Sequence, residues 1–277
     1  MGLRINTNVA SINSQRQLHQ SGDAMKKSLA RLSSGQRITN AGDDAAGLSI
    51  GTNLEAQIRG IRQATRNAND GIGMVQTAEG GLNEVSNILI RLRELSVQAA
   101  TDTLSDVERT FLDKEVQQLK SEVDRIAEST NFNGEKLLNG EADDGALHFH
   151  VGYFSGEENV ISYNTENTVV KTESLGVDGV DIKNREASLD SMGMIDGAIQ
   201  NVNAMRADLG ALQNRLQSSV RSLRITDENM SDARSRIMDT DVAAETAELT
   251  KNNILQQAGV AVLAQANTQP KLALNLL

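Results

Sequence analysis

Apolar residues recur at steps of three and four along much of the chain, which is the spacing of one face of an α-helix. One stripe is Val85, Leu89, Leu92, Ser96 and Ala99, and a second is Leu112, Val116, Leu119, Val123 and Ile126. A third and looser stripe is Ile195, Ile199, Val202, Leu209, Leu212, Leu216, Val220 and Leu223. Helices with such stripes must bury them against one another. The pattern therefore predicts a mainly α fold, an elongated helical rod or coiled coil.

Turn-forming residues interrupt this pattern at 40–44, 101–106, 131–134 and 139–140. At the first break, Asp43 and Asp44 are suited to cap the helix that follows, so they are assigned to a linker and helix cap. After the last break the spacing changes: residues 146–153 and 159–163 flank a polar stretch and predict a small β-hairpin.

These breaks divide the chain into five predicted segments. They are an N-terminal helix and linker (1–44), rod helices (45–140), a short variable β-rich surface segment (141–186), a return helix (187–231), and a linker with a C-terminal helix (232–277). The surface assignment rests on charge, because residues 141–186 hold ten acidic and three basic residues. The whole chain has a net charge of −10, which argues against a nucleic-acid partner.

The two ends of the chain are poor in charge and rich in apolar and amide side chains. Residues 252–277 carry one charged residue, Lys271, and the first forty residues place apolar side chains among Asn, Ser and Gln. Neither end makes a stable helix alone, so we expect the two terminal helices to bury their apolar side chains against partners. The terminal residues expected to be buried in this way are Ile5, Val9, Ile12, Leu29, Leu32, Ile254, Leu255, Ala258, Val262 and Leu263. The longest unbroken apolar run of the tail, residues 260–264, is too short for membrane insertion.

Little in the sequence indicates catalysis. The chain has no Cys, and the alternating His148 and His150 are better read as surface residues of the hairpin than as metal ligands. Asp43 and Asp44 are better read as a cap than as a catalytic pair. No zinc-peptidase, nucleotide-binding or nucleophile motif is present, so we expect a protein that is not an enzyme and has no cofactor.

Motifs at both ends resemble those of the bacterial flagellin family, in order and over about four-fifths of the chain. At the N-terminal side they are Ile5 to Ser11, Leu32 to Ile38, Asp43 to Leu48, Arg66 to Ile72, Gln76 to Gly80, Arg91 to Leu95 and Phe132 to Leu138. At the C-terminal side they are Leu209 to Arg215, Ala233 to Ile237, Ile254 to Gly259 and Val262 to Asn267.

The resemblance implies a structural subunit that self-assembles into a helical homopolymer, the extracellular flagellar filament used for motility. It further implies that the two terminal helices pair and that their apolar residues named above form the polymerisation core. It also implies export through the flagellar type III apparatus, which agrees with a start that lacks a secretory signal, and contacts with cap and junction proteins. A cytosolic export chaperone would bind about residues 240–277. A vertebrate Toll-like receptor would recognise Arg91, Leu95 and Glu115. This chain differs from longer family members because residues 141–186 leave no room for large outer domains.

Two alternatives remain on the sequence alone. A hook–filament junction protein shares the terminal helices, although the Arg66 to Gly80 and Ile254 to Gly259 stretches are more similar to flagellin. A flagellin with an inserted zinc peptidase domain would need a His-Glu-x-x-His helix, which is missing.

Overall fold

The computed structural model describes residues 7–140 and 145–274. Its helices are α1 (Val9–Ser34), α2 (Ala45–Ala99), α3 (Asp106–Ser129), α4 (Arg185–Met238) and α5 (Val242–Leu274). Its strands are β1 (Asn131–Phe132), β2 (Glu135–Lys136), β3 (Ala146–His150) and β4 (Val160–Asn164), with short 3-10 helices at Glu157–Asn159 and Thr165–Thr168. The predicted mainly α fold with a small hairpin is confirmed.

Contacts group the chain into two compact units. One, here the terminal unit, contains Met1–Ile58 and Glu228–Leu277, and the other, the central unit, contains Arg59–Asp227. Helices α2 and α4 each begin in one unit and end in the other. The five segment boundaries expected from the sequence stay a prediction.

Helices α2 and α4 run antiparallel through the central unit. Ion pairs mark their register, with Arg62 Nε 3.2 Å from Asp227 Oδ1 and Arg93 Nε 2.6 Å from Asp196 Oδ1. Between them lie the predicted stripes, and the fully buried side chains include Leu82, Val85, Leu89, Leu92, Ile195, Val202, Leu209 and Leu216. The heptad-like spacing thus marks the faces that form the core.

Helix α3 folds back along α2 after a short loop. Ser105 and Glu108 form a capping box at its start, where Ser105 N donates to Glu108 Oε2 over 2.8 Å. The buried guanidinium of Arg109 donates to the carbonyl oxygens of Ala99 and Thr101 at 2.9 and 2.8 Å. Ala99 is the last residue of α2 and Thr101 lies in the loop that follows, where helical partners run out, so Arg109 ties α3 to the end of α2.

The segment predicted as a β-rich surface is only partly of that kind. Within its described residues, strands occupy β3 and β4 alone. Residues 165–183 have no strand and bury the apolar side chains Val170, Leu175, Val177, Val180 and Ile182 in the core. Polar anchors hold this stretch to α3, since Asp124 accepts hydrogen bonds from Thr172 N and Oγ1 at 2.9 and 3.0 Å. Glu173 and Asp178 of this stretch are exposed, while its apolar side chains complete the core.

Strands β3 and β4 form an antiparallel hairpin in which Ala146 pairs with Asn164 and His150 with Val160. The predicted first strand continued to residue 153, but pairing ends at His150. Beyond it Gly152 lies so close to Asn159 that a side chain would not fit, and the chain turns there. His148 and His150 are both exposed.

Candidate self-association surface

Helices α1 and α5 pack against each other within the terminal unit, and the most buried described side chains of their seam are small or polar. Ser11, Ser28, Asn252 and Ala266 are the buried side chains of this pair. Asn8 caps α1 by accepting from Ser11 N, and its Nδ2 donates to Ala266 O over 2.8 Å. A seam of this kind fixes register through hydrogen bonds but buries little apolar area.

A groove of about 490 Å³ runs along one side of this seam. Its polar lining comes mainly from α1, through Asn13, Ser14, Gln17, Gln20 and Ser21. Its apolar lining comes from α5, through Leu255, Ala258, Gly259 and Val262. Gly259 allows close approach, because a Cβ there would lie 3.3 Å from Leu18 Cδ1.

Many large apolar side chains of the pair point away from the seam. On α1, Val9, Ile12 and Leu29 are exposed; on α5, Val242, Ile254, Leu255, Val260 and Val262 are exposed. Ile254 is 60% exposed and Val262 is 56% exposed. Since successive residues are offset by about 100°, these positions surround α5, and a helix that is apolar on all sides is normally buried on all sides.

No helix among the described residues is long and apolar enough to cross a membrane.

The residues predicted for the polymerisation core occupy this surface to different degrees. Val9, Ile12, Leu29, Ile254, Leu255, Ala258 and Val262 are exposed, while Leu32 and Leu263 are half-buried. Ile5 lies outside the described residues.

The linker between α1 and α2 places Asp43 and Asp44 in different roles. Asp44 Oδ1 accepts from Gly47 N over 2.8 Å in the first turn of α2. Asp43 instead pairs with Lys27 of α1, with 2.6 Å between Nζ and Oδ1, and accepts hydrogen bonds from Thr39. The hydrogen bond from Lys27 is the main reason that the pKa of Asp43 lies well below its usual range.

The two linkers of the terminal unit are also hydrogen-bonded to each other. Arg37 N donates to Met238 O over 2.7 Å, its guanidinium donates to Ile237 O, and Thr240 N donates to Gly35 O over 3.0 Å. Sequence reasoning missed this contact. The signal available in the sequence was the pair Gly47 and Gly51, because small residues four apart on a helix allow a neighbour to approach closely. In the structure, Met238 packs onto Gly51.

The residues that the resemblance assigns to receptor recognition do not share one surface. Arg91 Nη2 lies 2.9 Å from Glu115 Oε1, and both side chains are exposed. The hydrogen bond to Glu115 raises the pKa of Arg91 above its ordinary value. Leu95 is only 1% exposed and belongs to the core, which corrects the expectation that a receptor could contact its side chain.

Comparisons with known proteins agree over nearly the whole chain. A family model described as the bacterial flagellin N-terminal helical region matches residues 5–143, and one described as the bacterial flagellin C-terminal helical region matches residues 192–277. The flagellin of Halalkalibacterium halodurans is 42% identical over 274 residues, which cover 99% of each chain. The flagellar filament 30.7 kDa core protein of Treponema maltophilum is 40% identical over 283 residues, again covering 99% of each.

Among solved structures, the crystal structure of Bacillus cereus flagellin is similar at 32% identity and a TM-score of 0.50. The match covers 57% of this chain and 88% of that one. The matched sequence models cover well over half of the chain, and a full-length relative exceeds 40% identity. This chain belongs to the bacterial flagellin family.

Proposed function

We infer that this flagellin is a structural subunit of the extracellular flagellar filament, and we propose that it polymerises by burying the apolar outer surface of the α1–α5 pair. The family supports the structural role and a protein without catalytic activity. The relatives matched over nearly full length carry flagellin and filament names, so the junction-protein alternative has less support.

One observation carries the proposal: the pair buries Ser11, Ser28, Asn252 and Ala266 while Ile254, Leu255 and Val262 stay exposed. Full burial of one such aliphatic side chain is worth about 1.5–3 kcal/mol. Several of them, covered by neighbouring subunits, supply a large drive for assembly. The polar groove residues can hydrogen-bond in the packed state without the desolvation cost of charges.

Removal of residues 252–277 tests this proposal. Purified full-length and truncated subunits are seeded with filament fragments, without any chaperone, and elongation is followed by sedimentation. The truncated form is expected to keep the circular dichroism of a folded helical central unit and to fail to elongate. Elongation at the full-length rate would show that the tail is dispensable for assembly.

The family resemblance also motivates several partners. We propose type III export, contacts with cap and junction proteins, and an export chaperone that binds about residues 240–277. The exposed apolar side chains of α5 support the chaperone site, because an unassembled subunit would aggregate through them. A chaperone that still binds the subunit lacking residues 252–277 with unchanged affinity would contradict that site.

For the vertebrate Toll-like receptor, we propose recognition through the exposed Arg91–Glu115 pair, with Leu95 only supporting the helix beneath it. Arg91→Ala is expected to reduce receptor activation, whereas Arg93→Ala, which removes the exposed pair with Asp196, serves as the matched control. Equal activation by the wild type and both variants would contradict this proposal.

A further inference from the structure

The outer face of α4 carries a basic and apolar patch that has no ion-pair or hydrogen-bond partner among the described side chains. This basic patch consists of Arg221, Arg224 and Ile225, which lie within one turn of one another. All three are exposed, and Ile225 is 61% exposed. Val220 and Leu223, between and beside them, face the core, so the patch faces away from it. Neither arginine has a hydrogen bond or ion pair among the described residues.

The connection between β3 and β4 carries the opposite chemistry. This acidic loop consists of residues 153–158, with the side chains of Phe154, Glu157 and Glu158 exposed. Phe154 is 54% exposed, and its ring lies 4.4 Å from that of Tyr153. Glu158 accepts from Asn159 Nδ2 over 3.2 Å, but neither glutamate has an ion-pair partner in the described part of the chain.

The acidic loop and the basic patch lie at the same level of the central unit. Tyr153 packs on Gly60, where an added Cβ would come 3.3 Å from Tyr153 Cβ. Two residues further along α2, Arg62 pairs with Asp227, which follows Ile225 by two positions. Both features therefore flank the same short section of α2.

From this placement we propose that the acidic loop of one subunit binds the basic patch of a neighbouring copy in the filament. Glu157 and Glu158 would pair with Arg221 and Arg224, and Phe154 would cover Ile225. Two different patches that recognise each other form a heterologous contact, which generates open helical polymers or rings rather than two-fold symmetric dimers. The inference rests on the proposed polymerisation. It adds a lateral contact that sets the alignment of neighbouring subunits, while the terminal helices supply most of the free energy of assembly.

Because the chain contains no Cys, single engineered cysteines report directly on this contact. Phe154→Cys and Ile225→Cys subunits are mixed, elongated on seeds and treated with a short bis-maleimide. Dimers that join residue 154 to residue 225 are expected in filaments and not in unassembled mixtures, as identified by peptide mass spectrometry. The matched control mixes Phe154→Cys with Leu189→Cys, another exposed position on α4. Filaments in which the 154–225 product does not exceed this control would overturn the proposal.

Charge reversal gives a second and independent test. Glu157→Arg/Glu158→Arg and Arg221→Glu/Arg224→Glu are each expected to raise the critical concentration for seeded elongation about tenfold, because like charges then face each other. The variant with all four changes is expected to return to within about threefold of the wild type, since it restores opposite charges. Glu84→Arg/Glu128→Arg, at exposed positions outside both features, is the control.

The lateral contact would be overturned if the losses of elongation add up in the variant with all four substitutions. It would also be overturned if both double variants elongate like the wild type. These outcomes are separable from failure of the proposed function. If only the lateral contact is wrong, the subunit lacking residues 252–277 still fails to elongate while the charge variants elongate like the wild type. If the terminal helices are dispensable, the truncated subunit elongates, and the crosslinks still report on the loop.

Discussion

Ser11 on α1 and Asn267 on α5 are joined across the terminal seam, where Ser11 Oγ donates a hydrogen bond to Asn267 Oδ1 over 2.8 Å. A soluble helix pair usually places Leu or Ile at such positions and charges outside. Here the most buried side chains include Ser and Asn, while Ile254 and Val262 lie outside. This arrangement suits a pair whose final surroundings are other copies of itself.

Two adjacent glycines of α2 are expected to respond in opposite ways to substitution by alanine. Gly80 has open space around it, so Gly80→Ala should stabilise the protein by about 0.5–1 kcal/mol through helix propensity. At Gly81 a Cβ would lie 2.7 Å from Leu138 Cδ1 and 2.8 Å from Thr130 Oγ1. Gly81→Ala should therefore destabilise it by about 1–3 kcal/mol. Urea unfolding followed by circular dichroism measures both, and midpoint shifts of the same sign would contradict this packing.

The buried Arg109 is expected to be important for the stability of the central unit. Arg109→Met removes its hydrogen bonds to the carbonyl oxygens of Ala99 and Thr101, at a cost of about 2–3 kcal/mol in unfolding free energy. Arg125→Met is the matched control, because Arg125 is exposed and pairs only with Glu122 on its own helix. Equal unfolding midpoints for the two variants would show that Arg109 does not hold α2 to α3.

The Lys27–Asp43 pair predicts a specific pH dependence. The folded-state pKa of Asp43 lies below its unfolded value, so the pair stabilises the terminal unit above about pH 3.9. That contribution is lost as pH falls from there toward the folded-state pKa, where Asp43 takes up a proton. Asp43→Asn should therefore lower the melting temperature at neutral pH, and the difference from the wild type should shrink in acid. A difference that stays constant across this range would contradict the pairing.

Much of the central unit could be predicted from residue spacing. Leu112 to Ile126 and Ile195 to Leu223 recur at helical steps, and the structure buries most of these positions. The burial of Val170, Val177 and Ile182 could not be predicted, because this stretch has no regular element and therefore no period. The burial of Arg109 and Lys120 could not be predicted either, since both side chains donate to backbone oxygens, and a carbonyl acceptor leaves no signal in the sequence.

At the candidate site, the sequence predicted an apolar tail but not the direction in which its side chains point. Apolar residues on all sides of α5 give no preferred face, so the choice of Asn252 and Ala266 for the seam depends on the α1 residues opposite. Leu95 shows the opposite limit, because its motif was recognised but its burial was not. The family motif placed Leu95 among the recognition residues. In the structure α2 packs against both α3 and α4, so its buried face is wider than one stripe and includes Leu95.

The central claim is that the outer apolar surface of the terminal helices drives assembly. Its most direct measurement is the critical concentration for seeded elongation of Ile254→Gln/Val262→Gln, compared with Leu189→Gln/Met194→Gln, which changes exposed apolar residues of the central unit. Loss of two buried aliphatic side chains is expected to raise the critical concentration about 100-fold or more. The control pair should elongate close to the wild-type value. An unchanged critical concentration for the α5 variant would contradict the account.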